Sequence, residues 1–198
     1  MIIKNSFEVP LPVEEAWSTL LNITKIAPCM PGAELLEVID SKNYKGKVSV
    51  RLGPVALSFL GTARFEEMDQ AVHRARVKCQ GVDTKGRGGA NGLVTFSLSS
   101  IENGTKVDVE TDINLSGSVA QYGRGTGMIQ DVANVIIGQF AHELRAMLER
   151  EGAATKGQIA GDVSATTAAQ SSAPKPISGF SLMFRVILNS LRRLLSAK

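Results

Sequence analysis

The chain has 198 residues, 43% of them hydrophobic and 21% charged, which suits one domain with a sizeable core plus an appendage. Its net charge of +3 is unevenly spread: residues 1–150 sum to −1, residues 151–179 to 0 and residues 180–198, with four basic and no acidic side chains, to +4. A near-neutral body speaks against a basic groove for nucleic acid, two cysteines do not make a disulfide framework, and no stretch offers the run of about 18 apolar residues that spans a bilayer.

Ile2, Ile3 and Lys4 lead straight into a strand-like segment over 2–9, without the charged start and long apolar run of a signal peptide. The protein is therefore expected in the cytoplasm. Pro10 and Pro12 end the strand, and Pro12 suits the first turn of a helix over about 12–21. Glu14 and Glu15 favour that N-terminus through the helix dipole, and Trp17, Leu20 and Leu21 supply its buried stripe. A short second helix is expected over 22–28, stopped by Pro28-Cys29-Met30-Pro31-Gly32.

Six further strands follow, over 34–39, 44–52, 54–68, 72–82, 91–100 and 105–116. In the last, Val107, Val109, Thr111, Ile113 and Leu115 share one face and Lys106, Asp108, Glu110, Asp112 and Asn114 the other. A period of two with one wet face marks an antiparallel sheet. Val55, Leu57, Phe59, Ala63 and Phe65 are the inward set of an earlier strand. Asn103-Gly104 and Asp69-Gln70 mark tight turns, and Gly86 to Gly92 a longer flexible loop.

Residues 118–150 are expected to form one long helix that opens with a Ser118/Gln121 capping box. Its apolar stripe runs from Ile129 through Ala133, Ile136 and Phe140 to Leu148. Residues 151–179, rich in Ala, Ser, Thr, Gly and Gln, read as a disordered tether with an end-to-end distance of about 30 Å. Residues 180–198 regain helical pattern. Phe180, Phe184, Ile187, Leu188 and Leu191 lie on a wide apolar face beside Arg185, Arg192 and Arg193, as in a helix lying at a membrane interface. Each basic residue contributes roughly 1 kcal/mol near an anionic surface. The alternative is docking of this helix on a protein.

The order β, α, α, six strands, long α describes an α+β domain: a curved antiparallel sheet gripping a C-terminal helix. Three motifs then carry a resemblance: Pro12-x-Glu14-Glu15-x-Trp17, Pro28-Cys29-Met30-Pro31-Gly32-Ala33 and Ala120-Gln121-Tyr122-Gly123-Arg124-Gly125. Over residues 1–150 the chain resembles the G-subunit family of carbon monoxide dehydrogenase, within the START/Bet v 1-like (SRPBCC) superfamily. The resemblance implies a helix-grip cavity for an apolar ligand. It also implies service to a molybdenum hydroxylase of the carbon monoxide dehydrogenase type, membrane recruitment of that enzyme and handling of a quinone (menaquinone or ubiquinone).

Phe59, Phe96, Val109, Ile113, Ile129, Ala133 and Ile136 are the expected cavity wall, although such residues can equally form a solid core. The small residues Ala63, Ala75, Gly81, Gly92 and Ala133 among the inward positions favour unfilled volume. Glycines 117, 123, 125 and 127 mark either close backbone packing or a pliable portal. Tyr122 and Arg124 beside them can donate to a quinone carbonyl, or be a half-buried Tyr and a surface Arg. Gly123-Arg124-Gly125 does not make a dinucleotide fingerprint, since Met128 stands where a third glycine is needed. His73 and His142 lack the companions a metal site requires, and Cys29 reads as a small buried hydrophobe.

The expected function is thus a membrane-tethered, non-enzymatic quinone carrier serving a cytoplasmic molybdenum hydroxylase. A ligand-free adaptor or maturation factor is the alternative. An enzyme on this fold would need an acid–base pair inside a cavity whose inward positions are almost all apolar.

Overall fold

The sheet is built on alternation from its first residue. In β1 (Ile2–Val9), Ile3, Phe7 and Val9 are buried while Ile2, Lys4 and Glu8 are exposed. The computed structural model describes residues 1–52, 55–123 and 126–161. Met1–Gly157 form one compact unit, and of the second, Gln158–Lys198, only the first residues are described.

After β1 the chain enters α1 (Val13–Leu21), which buries Ala16, Trp17, Thr19 and Leu20. Pro12 stands one position before the helix rather than inside its first turn, and its carbonyl accepts the Ala16 N–H at 2.9 Å. α2 (Ile23–Ile26) is capped by the Asn22 side chain, which accepts from the Lys25 N–H at 3.1 Å. A 3₁₀ turn over Ala27–Cys29 follows, and Pro31-Gly32 then forces the chain into strand.

Six strands come next: β2 (Ala33–Val38), β3 (Asn43–Leu52), β4 (Val55–Asp69), β5 (Arg74–Asp83), β6 (Gly88–Ile101) and β7 (Gly104–Gly117). All seven strands form one antiparallel sheet in the order β1-β7-β6-β5-β4-β3-β2. Bulges at Leu35/Glu37 and Phe65/Glu67 increase its bend. β6 begins earlier than expected. Gly88 to Ala90, expected in the loop ahead of a strand from 91, pair with β7 from Gly117 to Leu115, so the loop shrinks to Thr84–Arg87. Glycine density there reflects close strand approach: a Cβ on Gly88 would collide with the Ser116 carbonyl oxygen.

Helix is described over Ala120–Gly123 (α3) and over Thr126–Gly161 (α4), and residues 124 and 125 between them lie outside the described residues. The helix expected from 118 thus begins at Ala120. Ser118 is not its cap, because the Ser118 hydroxyl donates instead to the Arg87 carbonyl at 2.8 Å. At the other end α4 continues beyond 150, through part of the segment expected to be a disordered tether. Gly152, a residue that commonly follows a helix end, does not stop it, and Lys25 ties Glu151 by an ion pair of 2.7 Å. The rest of the tether and the tail helix expected over 180–198 lie outside the described residues.

The core has two parts. The larger packs Phe7, Trp17, Leu20, Phe65, Leu98 and Val107 against Phe140, Ala141 and Leu144 of α4. Phe7 and Phe140 meet edge to face, their centroids 5.6 Å apart. The smaller gathers Leu52, Leu57 and Val119, with Tyr122 and Val132 against them.

Candidate functional site

Between these clusters the sheet and α4 line an open cavity of about 610 Å³ that takes wall residues from both. Its volume comes from what the strands do not carry. Register places Gly46, Gly61, Gly81 and Ala90 opposite one another across four adjacent strands, ending on Leu115 of β7. The next inward row is Tyr44, Ala63, Cys79, Gly92 and Ile113. Between their large end residues Tyr44, Ile113 and Leu115 these rows project little or no side chain, so the inner face is hollow where a filled core would need leucine or phenylalanine. Gly61 also bends the sheet: a Cβ there would collide with the Gln80 carbonyl oxygen.

Phe59, Phe96, Val109 and Ile113 line the cavity from the sheet, and Ile129, Ala133 and Ile136 from α4. Tyr122 does not line it. It is half-buried against the Leu52, Leu57 and Val119 cluster, because α3 turns it toward that end of the sheet. Arg124 lies outside the described residues. Of the flanking glycines, Gly117 answers to packing: its φ is +67° and a Cβ would come within 2.8 Å of the Arg87 carbonyl oxygen.

The inward polar side chains of the sheet around the cavity are Asn5, Tyr44, Cys79 and Thr111. Tyr44 spends its hydroxyl on the Ser41 carbonyl at 2.9 Å. Burial pushes the Cys79 thiol up to about 11, so this group is a neutral, weakly polar part of the wall. Glu34, Lys45, Lys47, Thr62 and Gln80 alternate with inward residues, and their side chains point to the opposite face. The arrangement can hold an uncharged apolar molecule and offers it few hydrogen bonds.

One end of the sheet is fastened by a feature the sequence reading missed. Asp83, at the inward position that ends β5, has a fully buried side chain held by Arg87. Arg87 Nε donates to Asp83 Oδ2 and Nη2 to Oδ1, each at 2.8 Å, and Nη2 also donates to the Ala56 carbonyl at 3.0 Å. The guanidinium, joined by the backbone N–H groups of Arg87, Ser58 and Lys85, holds the Asp83 carboxyl far below the usual carboxylate range. This clamp ties the β3–β4 and β5–β6 ends to the segment leading into α3. An inward Asp closing an alternating strand, with Arg four residues on, was its visible signal.

The histidines lie apart. His73 adopts φ +46° in the turn before β5 and shares a hydrogen bond of 3.0 Å with Glu14, while His142 is exposed on α4. Cys29 is buried, its Sγ 3.8 Å from the Met147 sulfur, and burial raises its pKa.

A family model described as the G subunit of carbon monoxide dehydrogenase (CoxG) matches residues 6–149. The chain belongs to the CoxG family. The match runs from within β1 through the other six strands to Glu149 of α4, leaving Ile3 and Asn5 of the cavity lining before its start. No curated protein matches the sequence significantly. Among solved structures, a conserved protein from Geobacillus kaustophilus superposes with a TM-score of 0.65 at 21% identity, covering 76% of this chain and 96% of that one. A protein from Thermus thermophilus gives 0.52 at 14% identity, over 74% and 98%. An aromatase/cyclase from Streptomyces gives 0.51 at 13% identity, over 76% and 94%. At these identities the likeness is one of fold, the Bet v 1-like helix grip. No helix among the described residues is long and apolar enough to cross a membrane.

Proposed function

We propose that this CoxG-family chain is a membrane-tethered carrier whose cavity takes a respiratory quinone, serving a molybdenum hydroxylase of the carbon monoxide dehydrogenase type in the cytoplasm. The observation that carries this reading is the cavity of about 610 Å³ with a nearly all-apolar inner wall. Its size falls in the range typical of small-molecule sites. An isoprenoid chain gains about 0.8 kcal/mol for each CH₂ removed from water, so such a molecule moves between a bilayer and an enzyme only inside a lined container. The family name supplies the client enzyme. The basic, apolar segment 180–198 would hold the container where quinones reside, through Arg185, Arg192 and Arg193 on anionic lipid and insertion of Phe180, Phe184, Ile187, Leu188 and Leu191. In this role the chain binds and delivers; it makes and breaks no covalent bond.

Transfer of menaquinone from donor to acceptor vesicles containing phosphatidylglycerol tests the reading. The wild-type chain should accelerate transfer. Ala133→Trp, which fills the cavity from α4, should abolish it. Phe184→Asp with Leu191→Asp should slow it while leaving binding in solution intact. A wild-type chain that sediments with vesicles yet moves no quinone would instead favour a ligand-free adaptor that recruits the dehydrogenase.

A further inference from the structure

Asn5, in the lining of the cavity, belongs to a group of neutral amides that neither the family match nor the fold assigns. β1 is an edge strand, and its inward Asn5 is half-buried in the cavity lining. Asn5 Nδ2 donates to Asn134 Oδ1 of α4 at 2.7 Å, and Gln130 Nε2, one helical turn earlier, donates to the same oxygen at 3.0 Å. This leaves Asn134 Nδ2, Asn5 Oδ1 and Gln130 Oε1 without partners among the described residues. Thr111 lies on the same face, diagonal to Asn5 and about 7 Å from it. Asn134 is exposed and Gln130 half-buried, so the cluster runs from the lining residue Asn5 out to the surface of α4.

We propose that Asn5, Asn134 and Gln130 form the head-group site of this cavity, taking a neutral carbonyl or hydroxyl group whose apolar body lies inside. The inference rests on the carrier reading. Three amides offer donors and acceptors side by side without charge, and turning an amide by half a revolution exchanges the two. Such a cluster serves a carbonyl, which only accepts, and a hydroxyl, which also donates. It thus accommodates both the oxidised and the reduced form of a quinone-like head. A charged head gains no counter-ion there.

The test uses the full chain, stripped of bound lipid, and displacement of the neutral fluorescent probe N-phenyl-1-naphthylamine. Competitors come in matched pairs: 2-methyl-1,4-naphthoquinone against 2-methylnaphthalene, and 1-hexadecanol against hexadecane. In at least one pair the oxygen-bearing member should displace the probe about tenfold better. Asn134→Ala should erase that preference while leaving hydrocarbon affinity unchanged. Alanine is the stronger helix former at this exposed position, so the fold is kept. Asn5→Val repeats the test from the strand. A preference confined to the quinone pair assigns a planar dicarbonyl head, and one confined to the alcohol pair a lipid. No preference in the wild type, a preference that survives both substitutions, or equal weakening of every competitor overturns the amide site and leaves the cavity reading standing. Failure of the wild type to bind the probe or any competitor overturns both.

Discussion

Arg87 grips Asp83 through two hydrogen bonds of 2.8 Å, and the carbonyl of the same arginine receives the Ser118 hydroxyl at 2.8 Å and the Val119 N–H at 3.2 Å. A single residue thus joins the tip of β5, the loop before β6 and the segment leading into α3. It fastens this end of the sheet to the start of the C-terminal helical segment.

Replacing Arg87 with Met leaves a buried carboxylate without its cation, a change of the most destabilising kind. A marked fall in Tm is expected, together with faster hydrogen exchange at Val119 and Leu57. The same clamp predicts an acid limb. The folded-state pKa of Asp83 is lowered, so its stabilising contribution is present above the ordinary carboxylate value of about 4 and is lost as pH falls below it. Thermal unfolding followed between pH 3 and pH 7 should show that loss, and Asp83→Asn should flatten it.

Cys79 predicts an alkaline limb. Its thiol is raised to about 11 in the folded chain, whereas an unfolded thiol titrates near 8.5. The contribution is complete below the unfolded value and declines as pH climbs toward the folded one. Cys79→Ala should remove that decline, read by urea unfolding from pH 8 to pH 11. Alkylation of Cys79 by iodoacetamide at pH 8 should be slow, and slower still when the cavity is occupied.

Two residues of α4 separate packed core from hollow wall. Leu144 is 1% exposed among side chains of the large cluster, while Ile136 is half-buried and faces the cavity. Leu144→Ala opens a new void and should cost about 3–5 kcal/mol. Ile136→Ala only widens an existing one and gains helix propensity, so about 1 kcal/mol is expected. Chemical denaturation of both variants measures the difference. Equal costs would mean that Ile136 stands in solid core.

Much of this architecture was legible because alternation is local. β1 occupies the residues 2–9 that its pattern marks, and the inward face of β7 is the one its apolar residues describe. What escaped depends on register. Gly46, Gly61 and Gly81 are separated by 15 and 20 positions, and become one hollow row only when β3, β4 and β5 are aligned. The Asn5–Asn134 bond joins residues 129 positions apart and has no local signature. Of the two readings the sequence leaves open for Tyr122, a donor to the ligand or a half-buried tyrosine, the structure shows the second, packed against the Val119 cluster. Gly88 and Gly89 illustrate the reverse error: glycines that usually break a strand here allow two strands to approach.

The central claim is that the space beneath α4 holds an apolar molecule, and its most direct measurement is native mass spectrometry of the full chain purified without detergent, followed by solvent extraction. The account predicts added mass on the wild type, released by organic solvent as a neutral hydrophobic compound and missing from Ala133→Trp. Bare protein mass for both chains, unchanged after incubation with menaquinone or ubiquinone, would contradict it.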